Sequence, residues 1–255
     1  MMRAIQKSFL EEGTPRDLTL VHAAGQGGGA DAEGNVVGQV NHLGEEGLLK
    51  KIIAGHYSLA PRIQKLALEN KIAAYNMPQG CISELFREIA AHRPGLITHV
   101  GLNTFVDPDL EGGMLNDKAR EEGSYVKKVN FNGEDKLFYP SFPIDVALIH
   151  ASYVDTQGNC SLEEEGTLAD ILPIAQAAYT SGGKVIVTVE KSHYVEYGSL
   201  DTRFVQVPGI YIEAIVLVDS DCAKQTNGSY HNEAFSGEKR IPMSAMEPMK
   251  MNARK

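Results

Sequence analysis

Residues 42–92 read HLGEEGLLKKIIAGHYSLAPRIQKLALENKIAAYNMPQGCISELFREIAAH. Apolar residues at helical spacing predict helices over 44–53, 60–69 and 81–91, with a strand over 72–75. The turn Pro78-Gln79-Gly80 opens the third helix. Glycine, proline and polar residues crowded between these apolar runs point to backbone that approaches a ligand rather than to core packing alone. A second turn-rich segment, Gly101-Leu-Asn-Thr-Phe-Val-Asp-Pro108, follows an apolar run a little later.

Working outward, further strand-like runs lie at 18–23, 97–100, 146–150, 185–189 and 214–218. A helical run at 168–181 ends at Ser181-Gly-Gly183, a glycine stop. Most of these strands are apolar on both faces, as parallel strands covered by helices on either side should be. The expected fold is therefore α/β, an open, mostly parallel sheet flanked by helices. The segment at 124–140 breaks the alternation. It reads as a β-hairpin around Asn132-Gly133, an antiparallel excursion from the main sheet.

The ends of the chain have their own character. Residues 1–12 read as the tail of a helix whose beginning, and a strand before it, lie upstream. After residue 218 the pattern fades into Gly, Ser, Asn and Met. Residues 1–230 are expected to form one domain, and 231–255 a linker towards a second.

A formal net charge of -9 over 255 residues argues against a nucleic-acid surface. The three cysteines, Cys81, Cys160 and Cys222, lack CxxC spacing, which fits free thiols in a reducing cytoplasm. No apolar run approaches the roughly 20 residues that span a bilayer. The N-terminus has no signal-peptide core.

Two segments carry candidate chemistry. Ala24-Gly25-Gln26-Gly27-Gly-Gly29 follows a strand, where open α/β sheets place ligand loops. It meets only a loose form of the dinucleotide fingerprint and is no Walker loop, so a tight ligand-side turn and a plain loop both remain open. Pro78-Gln79-Gly80 offers free amides at a helix start, suited to an anion or a developing oxyanion. Gln79 adds a neutral amide donor; the ordinary alternative leaves it in solvent. Among the histidines, His42 and His56 stand out, each also readable as a structural hydrogen-bonder. No metal-ligand spacing and no Gly-x-Ser-x-Gly elbow occurs. Glu45, Glu46 and Glu163 to Glu165 lie near expected helix starts and read as caps. The residues alone support an α/β domain that binds a small molecule at 25–29 and 76–80.

The run at 42–80, continued by PGLITHVGLNTFVDPDLEGGMLN, LFYPSFPIDVALI, SGGKVIVTVE, GSLDTRFVQVPG and AFSGEKRIPMSAMEPMKMNARK, resembles the amino-terminal half of the acetate/propionate CoA-transferases. These are family I enzymes acting on short-chain acyl-CoA. The likeness covers essentially the whole chain. It implies two related α/β halves with the active site between them, and a ping-pong exchange. A glutamate attacks the acyl-CoA, a glutamyl-CoA thioester forms, and a free carboxylate collects the CoA. CoA thioester is then a substrate, and no cofactor is required. Gln79 inherits an oxyanion- or carboxylate-binding role. Gly25, Gln26, Gly27, His56, Asn76, Gly80 and Phe105 are the substrate-binding candidates.

Two main departures and a smaller one, at Tyr57, accompany the likeness. The nucleophilic glutamate lies in the second half of the family's chain, beyond this sequence. Neither Glu46-Gly47 nor Glu165-Gly166 matches its position. The family's first strand and Gly-rich loop also lie upstream of Met1. Tyr57 stands where relatives often carry Trp. The expected partners are acyl-CoA, a short-chain carboxylate, a second-half domain or subunit and further copies in an oligomer, with neither nucleic acid nor membrane. The isolated chain is expected to be inactive. The competing expectation is a non-catalytic remnant that binds acyl-CoA or a carboxylate. A sugar-phosphate isomerase on the same fold lacks any phosphate-binding sequence.

Overall fold

The computed structural model describes residues 1–24, 39–165 and 168–220. Helix α1 (Met2–Glu12) leads into β1 (Leu18–His22), then β2 (Leu49–Ala54), α2 (Pro61–Leu68), β3 (Ala73–Asn76) and α3 (Gln79–Ala90). β4 (Gly95–Thr98), α4 (Asp117–Glu122), β5 (Lys127–Phe131) and β6 (Glu134–Pro140) form the middle of the chain. Next come β7 (Val146–His150), β8 (Tyr153–Asp155), β9 (Cys160–Ser161) and α5 (Ile171–Thr180). β10 (Lys184–Glu190), β11 (Tyr194–Val195), β12 (Val205–Val207) and β13 (Ala214–Val218) complete it.

The α/β expectation holds, but the main parallel strands divide into two three-stranded sheets, beside a small mixed sheet of order β11-β8-β9-β12. One has the order β1-β2-β3, the other β13-β10-β7, and all pairs in both are parallel. The first is covered on both faces. Ile52 and Ala74 join α1 and α2 in one apolar cluster, while Ile53, Ala73 and Tyr75 join α3 in another. α5 covers the second sheet through Ala175 and Ala178 against Val185, Val187 and Val189. α3 and α5 lie side by side, linked by Ser83 Oγ donating to Asp170 (2.7 Å).

Three expectations need correction. Residues 44–53 are no helix: β2 occupies Leu49–Ala54. The Leu48-Leu49…Ile52-Ile53 spacing mimics a helical stripe because the strand is buried on both faces, Ile52 against one cluster and Ile53 against the other. Glu45 and Glu46 therefore precede a strand and cap nothing; Glu45 pairs with Arg62 (2.5 Å) and Glu46 with Lys71 (2.9 Å). The run at 97–100 contributes β4, which is antiparallel to β6 and lies outside the parallel sheets.

The hairpin forms as expected. β5 and β6 meet at Asn132 (φ 55°) and Gly133 (φ 86°), the left-handed pair a tight two-residue turn requires. Together with β4 it makes a separate antiparallel sheet of order β4-β6-β5. Among the described residues no helix is long and apolar enough to cross a membrane.

Candidate functional site

The carboxyl ends of β1, β2 and β3 converge on one edge. His22 closes β1, Ala54 closes β2, and Asn76 closes β3 in register with Ala54. Gly55 N–H donates to the Ala23 carbonyl (3.2 Å) and Met77 N–H to that of Ala54 (3.1 Å). Asn76 Nδ2 donates to the carbonyls of Ala54 (2.9 Å) and Gly55 (2.8 Å). Both amide hydrogens of Asn76 thus tie the backbone leaving β2 to the end of β3.

Gln79 is the first residue of α3, so the Pro-Gln-Gly segment lies in the helix's first turn rather than before it. Its Cγ packs over Gly55, where a Cβ would come within 2.2 Å of it and 2.3 Å of the Ala23 carbonyl oxygen. Gln79 and Gly80 are exposed. The side-chain amide of Gln79 makes no hydrogen bond among the described residues, and no side chain caps the start of α3. Open space surrounds the position a Cβ on Gly80 would take. The arrangement is a shelf of uncapped amides with a neutral donor beside it, able to hold an anionic oxygen.

His56 is half-buried on the same edge, with Nδ1 3.3 Å from Ser58 Oγ. Phe105 is 44% exposed. Its carbonyl accepts from Gly113 N–H (2.9 Å), and the Gly113 carbonyl accepts from Asn76 N–H (2.8 Å). The 99–116 loop is thereby stitched to the end of β3. The structure thus brings His56, Asn76, Gln79 and Gly80 to one edge, with Phe105 one backbone link away. Gly25, Gln26 and Gly27 lie outside the described residues. His42 does not reach the edge: its Nδ1 meets Gln6 Oε1 of α1 at 2.7 Å. Burial, then Arg3 and Arg62, lowers its pKa.

One site residue escapes the motif reading. Both ring nitrogens of His22 are buried and lack a hydrogen-bond partner among the described residues. Burial first, and the nearby His56 second, push its pKa down to about 4. The signal was available in the alternation Leu18, Leu20, His22, where a polar residue takes the place of an apolar one.

A second polar cluster sits where β7 and β10 end. His150 Nδ1 meets Thr188 Oγ1 (2.9 Å), Ser152 Oγ donates to Glu165 Oε1 (3.1 Å), and His150 Nε2 is 3.9 Å from the same oxygen. His193 stacks on Tyr153 at 4.4 Å, and a cavity of about 20 Å³ lies among these groups. Glu165 is 6% exposed. The run 163–165 does not cap α5, which begins at Ile171 after Asp170. Its carboxylates lie too far upstream for that, and Glu165 turns into the sheet edge instead.

The comparisons with known proteins agree with this fold. The family profile for Coenzyme A transferase matches residues 32–217. A caffeate CoA-transferase of Acetobacterium woodii is 40% identical over 253 residues, 99% of this chain and 46% of that protein. The acetate CoA-transferase YdiF of Escherichia coli (strain K12) is 36% identical over all 255 residues, 46% of its own length. A crystal structure of the acyl-CoA transferase YdiF from E. coli O157:H7, a thioester complex with CoA, superposes on 95% of this chain with a TM-score of 0.85 and 34% identity, covering 47% of that chain. The chain thus spans about half the length of the curated relatives it matches, and aligns with their amino-terminal half. The chain belongs to the coenzyme A transferase family.

Proposed function

We propose that this chain is the first half of a short-chain acyl-CoA:carboxylate CoA-transferase working in the cytoplasm by a ping-pong glutamyl-CoA exchange. The nucleophilic glutamate comes from the other half. The observation that carries the reading is the Gln79 shelf, an amide without a hydrogen-bond partner among the described residues, beside a start of α3 that none of them caps, in a chain of this family. Each thioester exchange passes through a tetrahedral intermediate whose oxyanion needs donors already in place. The Gln79 amide and the first-turn N–H groups supply them. The acyl-CoA and the short-chain acid bind along the carboxyl edge of β1-β2-β3, with His56, Gly80 and Phe105 at its margin. Gly25, Gln26 and Gly27, which follow β1 in the sequence, remain further substrate-binding candidates on the motif alone.

Transfer of CoA from acetyl-CoA to propionate tests the reading. The chain mixed with a second-half polypeptide should transfer, and the chain alone should not. Transfer by the chain alone would overturn the division of labour. A second reading, a binding domain for acyl-CoA or a carboxylate without catalysis, predicts ligand-dependent stabilisation and no transfer in either case.

A further inference from the structure

Among the described residues, the sheet β7-β10-β13 is covered on one face only. In β10, Val185, Val187 and Val189 point at α5, so Lys184, Ile186, Thr188 and Glu190 point the other way. Register carries that second face across the sheet: Ile186 lies beside Leu148 and Ala214, Thr188 beside His150 and Val216, Lys184 beside Val146, Glu190 beside Val218. Six apolar side chains, Val146, Leu148, Ile186, Ala214, Val216 and Val218, therefore share this face. None of them is fully buried; Val146 is 50% and Val216 37% exposed. Charge is confined to its two ends. The matching face of β1-β2-β3 is covered by α1 and α2. Parallel sheets are almost always buried on both faces, so this arrangement calls for a cover.

We infer that the uncovered face of β7-β10-β13 is the docking surface for the second half of the enzyme, which presents an apolar helical layer to it. The inference rests on the proposed half-enzyme reading. Two observations choose that occupant. The relatives carry about as much chain again as this one, which spans 46% of each. The face itself measures roughly 240 Å², from three strands about 4.8 Å apart and five residues long. A free self-associating pair needs about 800 Å² from each partner. A second copy gains too little from so small a patch, whereas a large partner docks on it as one part of a wider interface. The face also runs into the polar cluster of His150 and Thr188 at the carboxyl edge.

The test uses the full chain and, as probe, the carboxyl-terminal half of the Acetobacterium woodii caffeate CoA-transferase expressed separately. Dissociation constants come from calorimetry, and the fold is checked by circular dichroism. Val216→Asp should weaken assembly at least 100-fold, and the near-isosteric pair Val146→Thr/Val216→Thr at least tenfold with the fold intact. Phe131→Asp, on the distant hairpin, should assemble as wild type. The chain alone should bind anilinonaphthalene sulfonate, and the double Thr variant should bind less. Unchanged affinity in the double Thr variant, or no assembly of wild type, overturns the inference. So does loss of self-association in Val216→Asp with unchanged affinity for the probe, which would make the face a contact between copies. Assembly that depends on Val216 but yields no transfer would sink the functional reading and leave the docking surface standing.

Discussion

Gly55 has no room for a side chain. A Cβ there would meet both the Ala23 carbonyl and the Gln79 side chain, so the glycine is what allows Gln79 to lie across the end of β2. If Gln79 holds the oxyanion, Gln79→Ala in an assembled enzyme should lower kcat by about 10²–10³-fold. Its melting temperature should stay at the wild-type value, since Gln79 is exposed. Steady-state kinetics beside a thermal melt read both. Unchanged kcat would return Gln79 to solvent. His22 makes a pH prediction of the same scale. Its pKa falls from 6.5 to about 4 on folding, so the unfolded chain takes up this proton first as pH drops. The contribution is complete above pH 6.5, is lost as pH falls from 6.5 towards 4, and levels off below. The loss is on the order of 3 kcal/mol. Urea titrations across that window should show it in wild type and lack it in His22→Phe; equal pH dependence in both would assign the loss to other groups.

Asn116 shows how elements are held to one another. It is 8% exposed and sits in the EGGMLN segment. Its Nδ2 donates to the carbonyls of Ala67 (2.8 Å) and Ile72 (2.7 Å). Its Oδ1 accepts from Ala74 N–H (3.2 Å) and from Ala119 N–H (3.1 Å), the latter as the cap of α4. One side chain thus joins α2, β3 and α4. Asn116→Ala leaves buried donors and acceptors unpaired and removes the cap, and should destabilise the chain by about 3 kcal/mol. A denaturation midpoint within error of wild type would refute this. Asp107 in NTFVDP behaves similarly. Backbone N–H groups of Asn103 and Asp109 hydrogen-bond its carboxylate and lower its pKa, with Lys128 adding to the effect. Asp155 and Asn159 close the next turn, where Asn159 Oδ1 accepts from Gly209 N–H (3.0 Å). These residues hold loops in place, including the loop that carries Phe105.

The whole molecule is unevenly protected. Among the described residues, β2 lies between two apolar clusters, whereas β13 is an edge strand in a sheet covered on one side. Amide exchange of the chain alone should therefore be slowest in β2 and β3 and clearly faster in β13. Uniform exchange would mean that all the strands open as one unit. Adding a second half should slow β13 most, and an effect centred on β2 would contradict the docking surface.

The sequence by itself determined the family, the α/β class, the hairpin and most of the helices. Those follow from local order: apolar spacing, glycine stops and motif spacing survive without tertiary contacts. Gln79 was legible for the same reason, as a polar residue at a helix start. The structure alone decided that 44–53 contributes a strand, because a strand buried on both faces loses its alternation and resembles a helical stripe. It alone separated the main parallel strands into two sheets and left one face of the second without cover among the described residues. It also showed His22 without a hydrogen-bond partner among the described residues and turned Glu165 from an expected cap into part of a buried cluster. Pairing, burial and hydrogen-bond satisfaction depend on residues far apart in the chain, and no local pattern records them.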